Sequence, residues 1–192
     1  MSKTESSMAE LGSDAPAFEL VDVVSGHAVG RDHVVASASG LLVMFICVHC
    51  PYVKHVEREL ARIGADYEGK IGMVAISAND AVAYPEDSPA EMRKQAARLG
   101  FTFPYLYDET QEVARAYRAA CTPDFFLYDA EMKLAYRGQL DDSRPTRPSG
   151  GGNDLPVTGK DLRAALDAVI AGKRPDTNQR SSIGCNIKWV TS

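Results

Sequence analysis

The sequence has no apolar run that approaches the ~20 residues of a membrane-spanning helix, so we expect no membrane segment. It also lacks a basic block, and its formal net charge of −5 argues against a nucleic-acid partner. The first ten residues are polar and lack the apolar core of a secretory signal, so we expect a cytoplasmic protein. Four cysteines in 192 residues are too few for a disulfide scaffold, which favours catalytic thiols in a reducing compartment.

What the sequence does have is a Cys-x-x-Cys motif between two contrasting patterns. An unbroken apolar run begins at Leu41, which predicts a strand buried on both faces. After the motif, apolar residues recur three or four positions apart, which predicts a helix. These residues are Val53, Val56, Leu60 and Ile63. Cys47 and Cys50 lie at the junction, and Pro51 follows at a position that the first turn of a helix tolerates.

This junction predicts a redox-active dithiol. The unpaired N–H groups of a helix N-terminus stabilise a thiolate, so we expect the pKa of Cys47 to lie below that of a free thiol. His49, between the two cysteines, would add to this effect. Cys50 lies one helical turn later and can close a disulfide with Cys47. A zinc knuckle or a pair of core cysteines is the other interpretation, although no second Cys-x-x-Cys or His-x-x-x-His completes a zinc site.

The length of the chain favours a single domain. We expect a flexible lead over residues 1–15, a domain over residues 16–174 and a C-terminal tail over residues 175–192 that packs on the domain. The domain should begin with an edge hairpin that turns at residues 25–26. The tail carries Cys185 and the single tryptophan, so it is either a packing strap or the carrier of a third thiol near the dithiol.

Polar residues are predicted to gather at the same edge of the sheet as the dithiol. Asn79 and Asp80 follow a strand predicted over residues 71–77, parallel to the cysteine strand. A strand predicted over residues 134–139 returns antiparallel, which would bring Asp141, Asp142 and Arg144 beside the dithiol. Residues 145–156, with three consecutive glycines, are interpreted as a mobile loop over or beside the site.

Two further residues have plain structural interpretations. His55 lies one turn beyond the motif and is interpreted as a helix-surface residue. Cys121 is interpreted as a buried, reduced thiol, because free cysteine is commonly a small core residue. His55 enters the chemistry only in the metal-binding alternative given below.

Several stretches together resemble the thioredoxin superfamily, and more narrowly its peroxiredoxin-like redoxin subgroup, which is related to the alkyl hydroperoxide reductase/thiol-specific antioxidant (AhpC/TSA) family. They are FICVHCPYVKH (45–55), AISAND (75–80), CTPDFFL (121–127), RG (137–138) with DDSRP (141–145), and GCNIKW (184–189). The resemblance covers nearly the whole chain. It implies an α/β, thioredoxin-like fold with a central mixed β-sheet flanked by helices, an N-terminal β-hairpin extension and a docked C-terminal tail.

The resemblance also implies a role for Pro123. In thioredoxin-like folds the strand at this position begins with a cis-proline that packs against the reactive cysteine, whereas the alternative is a trans-proline that starts an edge strand. A cis bond would expose the backbone of Thr122, which could pair with an extended substrate segment beside the disulfide. We therefore expect His49, Pro51, Thr122 and Pro123 to shape the site.

Three functions remain open. In a thiol–disulfide oxidoreductase, Cys47 attacks and Cys50 resolves the mixed disulfide, with protein thiols and disulfides as clients and a thioredoxin-type reductant as partner. The second function is that of a peroxidase. The peroxidases of the wider family use a cysteine that aligns with Cys50, and they have a threonine three residues before it. This chain has Cys47 at the position of that threonine. In a metal-binding protein or metallochaperone, both thiolates would act with His55 or Cys185. We favour the first, without a cofactor or metal, in a monomer or homodimer.

Overall fold

The apolar run before the Cys-x-x-Cys motif forms a fully buried strand, as its composition predicts. The computed structural model describes residues 3–36, 38–146, 152–153 and 155–191. Its strands within those residues are β1 (Lys3–Glu5), β2 (Glu19–Asp22), β3 (Ala28–Gly30), β4 (Leu41–Phe45), β5 (Gly72–Ser77), β6 (Tyr105–Tyr107), β7 (Cys121–Thr122), β8 (Asp124–Tyr128), β9 (Leu134–Gly138) and β10 (Ile183–Asn186). The helices are α1 (Arg31–Val34), α2 (Pro51–Asp66), α3 (Pro89–Leu99), α4 (Glu112–Ala116) and α5 (Lys160–Ile170), with a 3-10 turn at Pro85–Asp87.

The main sheet is mixed and has the strand order β3-β2-β6-β5-β4-β8-β9. At its centre, β4 pairs parallel with β5 and antiparallel with β8. The predicted edge hairpin is confirmed as β2 and β3, and β9 returns antiparallel to β8 as expected. Because Phe45 at the end of β4 pairs with Asp124 at the start of β8, the cysteine motif and Pro123 meet at one edge of the sheet.

The two faces of β4 enter two separate apolar clusters, because successive side chains of a strand point to opposite faces. Leu42 and Met44 pack in a cluster with α2, α3 and α5, whereas Leu41, Val43 and Phe45 pack in a cluster with α4 and the N-terminal segment. A fully buried leucine contributes about 1.5–3 kcal/mol to stability. This packing fixes α2 on the sheet, and the N-terminus of α2 therefore has a defined position at the site.

The two ends of the chain form a second, three-stranded sheet with the order β1-β10-β7. Lys3 pairs with Cys185, and the N–H of Ser6 donates to the carbonyl of Ser182 at 2.9 Å. The prediction of a flexible lead is therefore wrong for residues 3–15. Its polar side chains suggested a solvated segment, but β1 pairs with β10, and the N–H groups of Gly12 and Ala15 donate to the carbonyls of Leu134 and Met132. The docked tail is confirmed, and its Trp189 ring lies 4.5 Å from the Arg115 guanidinium carbon.

Part of the predicted glycine-rich loop lies outside the described residues. Residues 147–151 and 154 belong to that part, so the predicted mobile loop over residues 145–156 stays a prediction. The described Asn153 accepts a hydrogen bond from the N–H of Arg144 at 2.9 Å and donates to the carbonyl of Asp142 at 2.7 Å. Among the described helices, none has the length and apolar character needed to cross a membrane.

We predict that Gly40→Ala destabilises the fold, because Gly40 lies where the backbone before β4 passes very close to its neighbours. An added Cβ would overlap the carbonyl oxygen of Tyr128 and lie 2.9 Å from Cγ1 of Val169. The free energy of unfolding, measured by urea titration, should fall by about 1–3 kcal/mol. Gly30→Ala is the control, since its Cβ would lie 3.6 Å from the nearest atom, the carbonyl oxygen of Phe18. Equal unfolding midpoints for the two variants would contradict this account.

Candidate active site

The loop after β4 carries the Cys-x-x-Cys motif to the N-terminus of α2. Cys50 is the N-cap residue of this helix, and Pro51 lies in its first turn as predicted. The first N–H groups of a helix have no partner within it and carry partial positive charge. Both motif cysteines are buried, Cys47 with 1% and Cys50 with 0% of its surface exposed. The dithiol is therefore placed at a helix N-terminus but is sealed from solvent in this conformation.

Three of the four sulfur atoms lie together beside Thr122. Cys50 Sγ lies 2.9 Å from Cys185 Sγ, and as a neutral thiol it can donate to the carbonyl oxygen of Thr122 at 3.2 Å. Cys47 hydrogen-bonds to Cys50, and its Sγ lies 3.3 Å from Oγ1 of Thr122. All four cysteines belong to the described residues, and none forms a disulfide. Of the two interpretations of the tail, the contact with Cys50 favours the one in which Cys185 is a third thiol near the dithiol.

The protonation of the two motif cysteines is the reverse of the sequence prediction. The pKa of Cys47 is raised well above its usual value by its hydrogen bond to Cys50, by burial and by the negative charge of Asp87. Burial also opposes ionisation of Cys50, but hydrogen bonds from Cys185 and Cys47 outweigh it and lower the pKa of Cys50. The predicted lowering at Cys47 is wrong, because one thiolate of a close pair suppresses the other and Cys50 is better placed at the helix N-terminus.

His49 bonds to a buried carboxylate that the sequence did not single out. His49 Nδ1 lies 2.5 Å from Oδ2 of Asp87, and the N–H groups of Val48 and His49 donate to its Oδ1. Asn79 Nδ2 donates to the same carboxylate at 2.7 Å, and the His49 ring stacks on Tyr84 with centroids 5.8 Å apart. His49 and Asn79 therefore shape the cysteine loop through Asp87. Nothing marked Asp87 in the sequence, because acidic residues are common just before a helix.

The Thr122–Pro123 peptide bond is cis, as the resemblance implies. The backbone of Thr122, however, is not open at the edge of the sheet. β10 pairs antiparallel with β7, and this pairing sets Cys185 opposite Thr122. The prediction that Thr122 is exposed to an extended substrate is wrong for this conformation, because the tail of the chain occupies that edge.

The other polar residues predicted near the dithiol mainly bind backbone or surface groups. Asp80 accepts hydrogen bonds from two N–H groups of its own loop, and Asp141 accepts two from the residues just before α5. The Asp142 carboxylate forms ion pairs with a lysine at the start of α5 and an arginine in the tail. Arg144 donates to the carbonyl of Asp141, and both residues line a small cavity with Pro123. These contacts hold the backbone around the site, and a direct role at the sulfur atoms stays a prediction.

His55 is not the surface residue that the sequence suggested. It is half-buried, its Nε2 lies 2.7 Å from Oγ of Ser143, and burial lowers its pKa, because the loop that carries Ser143 covers this part of α2. The His55 ring therefore bonds to Ser143 and is not placed as a ligand of a metal ion held by the cysteine thiolates. Among the described residues, Cys47, His49 and Asp87 form a different possible metal cluster, with ligand atoms within 4.8 Å of one another. Because His49 and Asp87 bond to each other, a metal ion would have to replace that bond.

Two buried groups flank Pro123. Cys121 is fully buried, as predicted, and burial raises the pKa of its thiol. Asp124 is also fully buried, and burial raises its pKa to about 7. Its Oδ1 has no hydrogen-bond partner among the described residues, while its Oδ2 accepts from the N–H of Ala120 at 3.2 Å. Asp124 therefore holds its proton at mildly acidic pH.

Asp124 should make stability depend on pH. Its carboxyl group stays protonated up to about pH 7 when folded but ionises near its ordinary pKa of 3.8 when unfolded. The unfolded state then binds fewer protons, so the free energy of unfolding falls as pH rises through this window. Relative to the wild type, Asp124→Asn should gain stability steadily from pH 4 to pH 7 in urea titrations. Exposed Asp32→Asn is the control, and a difference that does not vary with pH would refute the assignment.

Comparisons with known proteins identify a family and similar folds. The AhpC/TSA family model matches residues 11–137. A thiol-disulfide oxidoreductase ResA from Geobacillus thermodenitrificans is 31% identical over 133 residues, which are 68% of this chain and 70% of that protein. The solved structure of an uncharacterized conserved protein from Geobacillus kaustophilus is 53% identical with a TM-score of 0.94, over 100% of this chain and 98% of that one.

The fold also matches more distant structures. A secreted Mycobacterium tuberculosis disulfide oxidoreductase homologous to E. coli DsbE has a TM-score of 0.56 at 14% identity, over 79% of this chain and 95% of that one. This likeness supports the predicted thioredoxin-like fold, and the family model supports the predicted redoxin relationship. The chain therefore belongs to the AhpC/TSA family and has a thioredoxin-like fold.

Proposed function

We propose that the chain is a thiol–disulfide oxidoreductase in which Cys47 and Cys50 cycle between a dithiol and a disulfide. The observation that carries this function is the pair of adjacent buried thiols at the N-terminus of α2, with Cys50 as its N-cap residue. Such a pair supplies one thiolate that attacks and one thiol that resolves. The ResA relatives, named as thiol-disulfide oxidoreductases and 31% identical to this chain, support the same function.

Cys50 is the attacking group in this proposal, which reverses the roles expected from the sequence. Its thiolate attacks one sulfur of a client disulfide, so that a Cys50–client bond forms and the other client sulfur leaves as a thiolate. Cys47 then gives up its proton and attacks Cys50 Sγ, which releases the second client thiolate. The client gains two electrons, and the chain is left with a Cys47–Cys50 disulfide.

The partners follow from this chemistry. Protein disulfides are the proposed clients, and a thioredoxin-type reductant would return the Cys47–Cys50 disulfide to the dithiol. The cytoplasmic location and the monomeric or homodimeric state stay predictions, which cell fractionation and light scattering would test.

A thiol peroxidase is the second candidate, because Cys50 lies where the wider family has its peroxide-reducing cysteine. The position three residues earlier is Cys47 instead of threonine, although Oγ1 of Thr122 lies 3.3 Å from Cys47 Sγ. A hydroxyl group is thus near the pair but comes from a different strand. We give this activity second place because function depends on the site rather than on the fold.

Paired assays should separate the two activities. With dithiothreitol as the electron donor, the wild-type protein should reduce insulin disulfides and consume hydrogen peroxide near the background rate. Cys50→Ser should abolish insulin reduction, because it removes the thiolate. The Cys121→Ser variant is the control, since Cys121 is buried and its pKa is raised. Peroxide consumption that outpaces insulin reduction would favour the peroxidase.

Removing the resolving thiol should trap clients on Cys50. Cys185 lies 2.9 Å from Cys50 and could also resolve a mixed disulfide, so it is replaced as well. The Cys47→Ser, Cys185→Ser variant should accumulate mixed disulfides that non-reducing electrophoresis detects. The matched Cys50→Ser, Cys185→Ser variant should trap about tenfold less, because burial and the charge of Asp87 still favour the protonated thiol of Cys47. More trapping in the second variant would restore Cys47 as the attacking group.

A further inference from the structure

β10 occupies the place where an extended client would bind. Extended peptides commonly bind by adding a strand to an open sheet edge. Here the edge of β7 is filled by β10, with Cys185 opposite Thr122 and Asn186 opposite Cys121. β1 pairs with the other side of β10, so this strand is held along both edges. The chain therefore fills its own strand-binding site beside Pro123.

This strand also places a thiol where the sulfur of a client would react. Cys185 Sγ lies 2.9 Å from Cys50 Sγ, whereas a disulfide bond is about 2.05 Å long. A shift of less than about 1 Å would therefore bring the two sulfur atoms to bonding distance. Gly184 makes the close approach possible, because a Cβ at this position would overlap the carbonyl group of Thr122.

The strand is anchored on both sides of Cys185. Before it, the N–H of Ser6 donates to the carbonyl of Ser182 at 2.9 Å. After it, the N–H of Lys188 donates to Oδ1 of Asn79 at 2.9 Å. With Cys47, Cys50 and Cys185 all at most 3% exposed, a client protein can reach the sulfur atoms only after β10 is displaced.

We propose that β10 is an internal client whose Cys185 exchanges with the Cys47–Cys50 disulfide, a step that rests on the function proposed above. The Cys185 thiolate attacks Cys50 Sγ, so that the Cys50–Cys185 bond forms and the Cys47–Cys50 bond breaks. Cys47 leaves as a thiolate and takes up the proton that Cys185 released. The exchange is electron-neutral within the chain and needs no added oxidant or reductant.

This exchange would control access to the site. The Cys50–Cys185 disulfide holds β10 covalently over the active site. Client disulfides therefore cannot reach the site until a reductant breaks that bond. Reduction frees Cys185 as a thiol and leaves β10 held only by non-covalent pairing, which an incoming strand can replace. The oxidation state of the three thiols thus sets whether β10 is held over the site by a covalent bond or by non-covalent pairing alone.

Disulfide mapping of the full chain tests the exchange. The protein is equilibrated in dithiothreitol buffers of increasing oxidised fraction, quenched with acid, alkylated with N-ethylmaleimide and analysed by peptide mass spectrometry. We expect two linkages, Cys47–Cys50 and Cys50–Cys185. In Cys185→Ser the second linkage should be lost, while the first linkage is kept.

The outcomes distinguish this inference from the proposed function. The wild-type protein could show the Cys47–Cys50 linkage and reduce insulin, yet form no Cys50–Cys185 linkage in any buffer. That result would overturn the inference but not the proposed function. Absence of the Cys47–Cys50 linkage together with absence of insulin reduction would overturn the function, and the inference with it.

A second variant tests the closed state without relying on oxidation. In the reduced Gly184→Ala variant, the clash with Thr122 should displace β10. Cys50 should then react with iodoacetamide at least about tenfold faster than in the wild type, which corresponds to a loss of about 1.4 kcal/mol in the free energy that protects the Cys50 thiol. Gly30→Ala is the control and should react at the wild-type rate. Equal rates in a Gly184→Ala protein with wild-type circular dichroism would contradict closure by β10. If that variant does not fold, the disulfide map decides.

Discussion

The pairing of β10 with β7 is the contact on which the site depends. It fixes Thr122 on one side and Cys185 on the other, and it closes the space above the N-terminus of α2. The packing of α2 on the central sheet supplies the opposite wall, with Cys50 as the N-cap residue. The three sulfur atoms are thus brought together by two independent parts of the fold, a helix held by apolar packing and a strand held by backbone hydrogen bonds.

The chemistry of the site follows from how burial and hydrogen bonding compete. Burial alone would keep both motif thiols protonated, because it penalises the charged form. At Cys50 the neighbouring thiols donate hydrogen bonds that reverse this effect, whereas at Cys47 the hydrogen bond to Cys50 and the charge of Asp87 reinforce it. Asp87 therefore has two effects. It accepts hydrogen bonds from the N–H groups of the loop between Cys47 and Cys50, and its negative charge helps to keep Cys47 protonated.

Much of the fold could be predicted because its signals are local or shared with a family. The apolar run at β4, the helical spacing of α2 and the cis bond before Pro123 are of this kind. What could not be predicted depends on contacts between distant residues. No pattern along the chain indicates that Lys3 pairs with Cys185 or that His49 hydrogen-bonds to Asp87. The same is true of the pKa order of the two cysteines, which is the reverse of the order predicted.

The central claim is that the thiolate of the resting dithiol is on Cys50, between two thiol donors. The most direct test is an NMR pH titration of the reduced wild-type protein labelled with 13C at the cysteine Cβ atoms, with each signal assigned by single serine variants. The account predicts that Cys50 titrates first, below the ordinary range of a free thiol of about 8.5, and that Cys47 stays protonated well above it. A titration in which Cys47 ionises before Cys50 would contradict the account.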